Sequence, residues 1–170
     1  MTELPLLLAG KNPLTPSNAA VAIVTLAGER YLLQHRDPLP TIFYPDHWGF
    51  FGGALEDAES ESEALARELF EEIALDIDPS RFYYFTRFTF DYAFAGGDEV
   101  IRSFYEIALT EEEFSRIKLG EGQGFAAPDA ASALRDYRMT PYDSFTLWMH
   151  ASKTRLAFPP ARRTGIAPRA

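Results

Sequence analysis

The stretch FGGALEDAESESEALARELFEEIAL, Phe51 to Leu75, decides how the rest of the chain is read. From about Ser60 to Ala74 its periodicity is helical: Leu65, Leu69 and Ile73 recur at four-residue steps, and Ala66 and Phe70 widen the apolar stripe. At 100° per residue, Glu68, Glu71 and Glu72 fall within one arc of about 100°. That arc borders the apolar stripe instead of lying opposite it. Like charges at i and i+4 destabilise a helix by roughly 0.2–0.5 kcal/mol per pair, which a folded domain absorbs. Crowding alone therefore leaves two readings open, a solvated acidic face or oxygen ligands for a hard divalent cation. Gly52 and Gly53, just ahead, turn the chain and also let backbone carbonyls approach an ion or phosphate with no Cβ in the way.

Upstream, two β-rich runs, Ala19 to Leu26 and Arg30 to Arg36, are separated by Ala27, Gly28 and Glu29, which predicts a hairpin. DPLPTIFYPDHWG, residues 37–49, holds three prolines and predicts irregular structure. Its Ile42, Phe43, Tyr44 and Trp48 either pack as core or line a pocket. Downstream, RFYYFTRFTFDYAF and VIRSFYEIALT predict two long strands joined at Gly96, Gly97 and Asp98. Thr110 caps a short helix, LGEGQGFAAP (119–128) is a mobile or tightly turned segment, and Asp129 caps a further helix. A last helix runs from about Pro141 to Lys153. Hairpin, helix, hairpin, then short helices predicts an α/β fold with helices packed on a mixed sheet, its strand order left open.

With 170 residues, 46% apolar and 14% aromatic, the chain suffices for one core. The expectation is a single domain over residues 1–156 and a basic, proline-containing tail over 157–170. No run of some 18 apolar residues predicts a membrane span, and MTELPLLLAGKNP carries an acid where a secretory signal has basic residues, so a cytoplasmic protein is expected. The absence of cysteine removes disulfides, thiolate metal sites and cysteine nucleophiles together. A net charge of -9 argues against a nucleic-acid polymer and leaves a small anionic substrate, provided a cation mediates. His35, His47 and His150 show no metal-ligand spacing.

Gly53, five residues, Glu59, seven residues, Arg67-Glu68-Leu69, one residue, Glu71-Glu72, one residue, Ala74-Leu75 resembles the Nudix box, G-x5-E-x7-R-E-U-x-E-E-x-G-U with U aliphatic; eight of nine specified positions agree. The departure is Ala74, where the family has glycine. An alanine forced to left-handed φ costs about 1 kcal/mol or more, so a slightly rearranged helix end is expected. The box covers 23 of 170 residues, and the surrounding order of elements is consistent with the family's α/β/α sandwich.

The resemblance implies Mg²⁺- or Mn²⁺-dependent hydrolysis of a nucleoside diphosphate linked to another moiety. It implies Glu68 and Glu72 as principal metal ligands, Glu71 as a further ligand directly or through water, and a backbone carbonyl at Gly52 or Gly53. Arg67 and Glu59 organise the loop and the carboxylates. The general base comes from the box or from a loop beyond the second hairpin, where Glu121 looks like the loop acid, with glycines on both sides that let it swing in. Arg36, Arg87 and Arg102 are candidates for a substrate phosphate, each with a solvated or ion-paired alternative, and Tyr44 is a candidate for the substrate pocket. Homodimers are common among proteins of this kind. An isomerase resembling isopentenyl-diphosphate isomerase would need the cysteine that is missing. A catalytically silent nucleotide-sensing module is the alternative function.

Overall fold

In the computed structural model the structure describes residues 16–93 and 97–153; Gly96 of the second turn and the tail 157–170 lie outside the described residues. Strand β1 (Ala19–Leu26) is the centre of the molecule. It pairs antiparallel with β2 (Arg30–Tyr31) along one half and with β5 (Phe51–Ala54) along the other, and parallel with β7 (Glu99–Ala108) on its far side. β6 (Tyr83–Asp91) closes the five-stranded sheet antiparallel to β7. The expected strand Arg30 to Arg36 divides at Leu32. Its second part, β3 (Leu33–His35), leaves for a three-stranded sheet between β4 (Trp48–Gly49) and β8 (Gly124–Ala126).

Because side chains alternate along a strand, Ala20, Ala22 and Val24 of β1 face helix α1 (Glu61–Ile73), whereas Val21 and Ile23 face the opposite layer. That layer contains α3 (Ala130–Asp136) and α4 (Pro141–Ala151), which supply Ala133 and Leu147. A strand covered on both faces has no reason to alternate with polar residues, hence the uninterrupted AAVAIV. The result is the expected sandwich, and among the described residues no helix is long and apolar enough to cross a membrane.

The box helix begins on a reciprocal capping box, Ser60 with Glu63, and Glu61 and Glu63 meet its positive end. Its other end corrects the sequence expectation. Ala74 stands at φ 55°, ψ 34°, in the left-handed region, and the turn is not rearranged. The strain is about 1–2 kcal/mol. It is tolerated because a distant loop caps the orphan carbonyls: Lys118 N–H donates to Ile73 O (3.2 Å) and Gly120 N–H to Glu72 O (2.8 Å). That loop follows α2 (Glu111–Ser115), itself opened by a Thr110–Glu113 capping box. Of the two expectations for LGEGQGFAAP, mobile or tightly turned, the second fits: it carries the capping Gly120 N–H and then β8.

Candidate active site

β5 and α1 are adjacent in sequence and in space, and their contact creates the site. A cavity of about 140 Å³ opens between them, lined by Glu68, Glu72, Glu121, Arg36, Gly52 and Gly53 among others. The backbone requires glycine at 52, and a side chain at 53 would displace the Glu68 carboxylate. A Cβ on Gly53 would lie 2.4 Å from a Glu68 carboxylate oxygen, and one on Gly52, where φ is 121°, would lie 2.3 Å from the Ala20 carbonyl oxygen. Glu68 therefore occupies the volume that a side chain at 53 would take.

Glu72 is 5% exposed, and its partners are all neutral: Gly52 N–H donates to Oε2 (2.7 Å) and Gln34 Nε2 to Oε1 (3.0 Å). Burial pushes its carboxyl up to about 8, the charges of Glu68 and Glu121 add to that, and the two hydrogen bonds only partly oppose it. Glu68 is also raised, again by burial first, with Arg67 pulling the other way. Both acids are held where a negative charge is uncomfortable: Glu72 hydrogen-bonds to no cation, and the Arg67 contact does not outweigh the burial of Glu68.

Arg67 reaches Glu68 but makes no bond to Glu72, and its other donors are engaged elsewhere. Its Nε and Nη2 fork onto the two oxygens of Glu59, each at 2.9 Å, and Nη2 also reaches the Ala54 carbonyl (3.0 Å). Nη1 touches Glu68 (2.9 Å) and Glu71 (3.3 Å). The fork onto Glu59 holds that carboxyl below the usual range and ties the loop after β5 to the helix. Glu71 is exposed, pairs with Arg67 and does not line the cavity.

Among the described residues no three acidic or imidazole groups converge into a closed metal cage. What the cavity offers is the buried Glu72 carboxylate, the partly buried Glu68 carboxylate and Glu121. That half-open, all-oxygen set suits Mg²⁺, which keeps several waters and takes one or two carboxylates plus substrate phosphate oxygens.

Of the other predicted residues, Arg36 lines the cavity, with Nε donating to the Phe43 carbonyl (3.2 Å). Tyr44 and Arg102 meet at a different ring: Tyr44 stands edge-on to Tyr142 (5.5 Å), and the Arg102 guanidinium lies 4.3 Å above it. Arg36 lies close enough for its charge to act on Tyr142 and on the buried Asp143. Arg102 is 3.8 Å from Asp143 Oδ1, and neither its Nε nor that oxygen has a hydrogen-bond partner. Arg87 is exposed on β6, beside Tyr105 and away from the cavity, because its strand register puts it opposite Ser103 and not against β5. Glu121 is exposed, and its backbone is tied on both sides: Gly120 N–H bonds Glu72 O and Gly122 N–H bonds Asp37 Oδ2 (3.2 Å). Gln34 and Asp37, which reach this loop, were not singled out from sequence. The available signal was a polar amide directly after Leu32 and Leu33 in a buried strand.

A family profile described as NUDIX domain matches residues 16–158. No curated protein sequence matches the chain. Among solved structures, the chain is similar to a MutT protein from Methanosarcina mazei (16% identity, TM-score 0.65, 85% of this chain and 98% of that one). It is also similar to the E. coli dihydroneopterin triphosphate pyrophosphohydrolase (16%, 0.62, 82% and 98%). A third is a C. elegans Ap4A hydrolase (18%, 0.61, 82% and 98%). At these identities the likeness is one of fold.

Proposed function

The chain belongs to the Nudix hydrolase family and is a pyrophosphohydrolase, and on that premise we propose that it cleaves a nucleoside diphosphate linked to another moiety, with Mg²⁺ as cofactor and Mn²⁺ able to replace it. The moiety is a further phosphate, a sugar or a second nucleoside. The observation that carries this reading is Glu72: a carboxylate 5% exposed, held by neutral N–H groups beside the partly buried Glu68, has no ion-pair partner of its own and gains one when a metal ion enters. Glu68 and Glu72 hold the ion, with the carbonyl of Gly52 or Gly53, and the exposure of Glu71 supports a contribution through water.

When bound, Mg²⁺ neutralises the diphosphate oxygens and makes water a better acid. The protein's own groups do the rest. The Glu121 carboxylate takes the proton from the attacking water. Arg36, the positive charge lining the cavity, holds a phosphate oxygen, and Tyr44 and Arg102 bind the group beyond the phosphates around the Tyr142 ring. Arg67 and Glu59 keep the loop and Glu68 in place for a second reason as well: with Arg67 saturated, it does not displace the cation. Arg87 is not retained in this set. The proposed setting is the cytoplasm, with small nucleotides as substrates.

The test is a panel of nucleoside triphosphates, nucleotide sugars and dinucleotides incubated with Mg²⁺, scored for monophosphate release. Turnover of at least one, abolished by EDTA, is expected. A folded protein inert toward all of them and without affinity for Mg²⁺ or Mn²⁺ refutes the reading.

A further inference from the structure

Four successive residues of the loop after α2 are fastened, each to a different anchor. Gly120 N–H donates to Glu72 O (2.8 Å), the Glu121 carbonyl accepts from Gln34 Nε2 (3.4 Å), Gly122 N–H donates to Asp37 Oδ2 (3.2 Å), and Gln123 N–H donates to His35 O (2.7 Å). Gln34 is 3% exposed on β3, and its amide nitrogen is the only one of these anchors that also grips a box carboxylate, Glu72 Oε1 at 3.0 Å. One carboxamide thus spends its two N–H donors on two different elements. The loop is shaped to lie on it. Gly122 stands at φ 90°, and a Cβ there would meet the His35 carbonyl oxygen at 2.8 Å and Gln34 Cγ at 3.1 Å.

We infer that Gln34 is a positioning residue that sets the spacing between the Glu72 carboxylate and the Glu121 loop, and so the geometry in which both acids face one cation; this rests on the metal-dependent reading above. The choice of an amide has a physical basis. A lysine or arginine at 34 would satisfy Glu72 with a full charge and compete with the cation, whereas an aliphatic residue would leave a buried carboxylate oxygen and a carbonyl without donors. Glutamine orients the carboxylate and leaves its charge for the ion. Groups that orient ligands in this way typically change metal affinity by about 10- to 100-fold when removed.

The test uses Gln34→Met, which keeps the shape and removes both donors, alone and combined with Glu121→Gln. Mn²⁺ dissociation constants are measured by electron paramagnetic resonance on metal-depleted, substrate-free protein, with thermal midpoints recorded in parallel. The expected result is about tenfold or greater weakening of Mn²⁺ binding in Gln34→Met, with Glu121→Gln adding much less in that background than in the parent. Gly122→Ala, whose Cβ would push the loop off the His35 carbonyl and Gln34, gives the same non-additivity and stands in if Gln34→Met fails to fold. Unchanged Mn²⁺ affinity in a folded Gln34→Met, or in Gly122→Ala when that variant stands in, or strictly additive effects, overturns the inference. If Glu72→Gln abolishes Mn²⁺ binding while the Gln34 variant does not alter it, only this inference falls; if the parent binds no Mn²⁺, the metal reading falls with it.

Discussion

Replacing Glu72 by glutamine separates what the buried carboxylate does to stability from what it does for metal. The folded carboxyl is pushed up to about 8 from an ordinary 4.5, so the metal-free fold prefers it protonated. A folded pKa above the unfolded one favours folding fully below about pH 4.5 and loses that contribution as pH rises through about 8. At about 1.4 kcal/mol per pH unit, the loss between pH 4.5 and pH 7 is on the order of 3 kcal/mol, or about 6–12 °C in thermal midpoint for a domain of this size. In Glu72→Gln the new amide oxygen keeps the Gly52 N–H satisfied, and Gln34 can rotate its own amide to meet the new NH₂. Any packing penalty of the substitution is independent of pH. The assay is thermal unfolding of parent and variant in EDTA at half-unit steps from pH 5 to 8, repeated with Mg²⁺. The difference between the two proteins should close or reverse in the variant's favour as pH rises. Mg²⁺ should raise the parent's midpoint, increasingly at higher pH, and leave the variant's unchanged. Parallel pH curves in EDTA, or an undiminished Mg²⁺ effect in the variant, would refute the account of Glu72.

Ala74→Gly should stabilise the protein by about 0.5–1 kcal/mol, since it relieves left-handed strain at φ 55° while adding unfolded-state entropy; a chemical denaturation midpoint that falls contradicts it. Glu121→Gln should lower kcat by about 10²-fold or more with a smaller effect on substrate affinity, read from saturation kinetics; equal rates remove Glu121 from the proton-transfer step. Arg67→Lys cannot reproduce the two 2.9 Å bonds to Glu59 together with the Ala54 carbonyl contact, so stability should fall by about 1–2 kcal/mol and kcat by about tenfold or more. Unchanged unfolding and turnover would make the fork ornamental.

Much of the fold was legible because its signals are local. The four-residue recurrence of Leu65, Leu69 and Ile73 marked α1, Thr110 marked the cap of α2, and the Nudix spacing rests on fixed positions along one helix and its loop. Where the reading went astray, a distant segment had intervened. Ala74 keeps its left-handed conformation because Lys118 and Gly120 cap the helix from outside. Arg36, Arg87 and Arg102 looked alike as strand arginines, but Arg36 falls just past β3 and lines the cavity, Arg102 lies over Tyr142 and Arg87 faces away beside Tyr105.

From residue order alone came the identity of the acids, the helix that presents them and the exclusion of thiol chemistry, since each depends on side-chain type and on backbone periodicity within a few turns. Tertiary packing alone decided that Glu72 is dry and Glu71 wet, that Gly53 makes room for Glu68, and that Gln34 binds an acid from the box and a loop 87 residues away in sequence. Dehydration and hydrogen-bond partnership are set by whatever the folded chain brings against a group, and that is a property no short window of sequence contains.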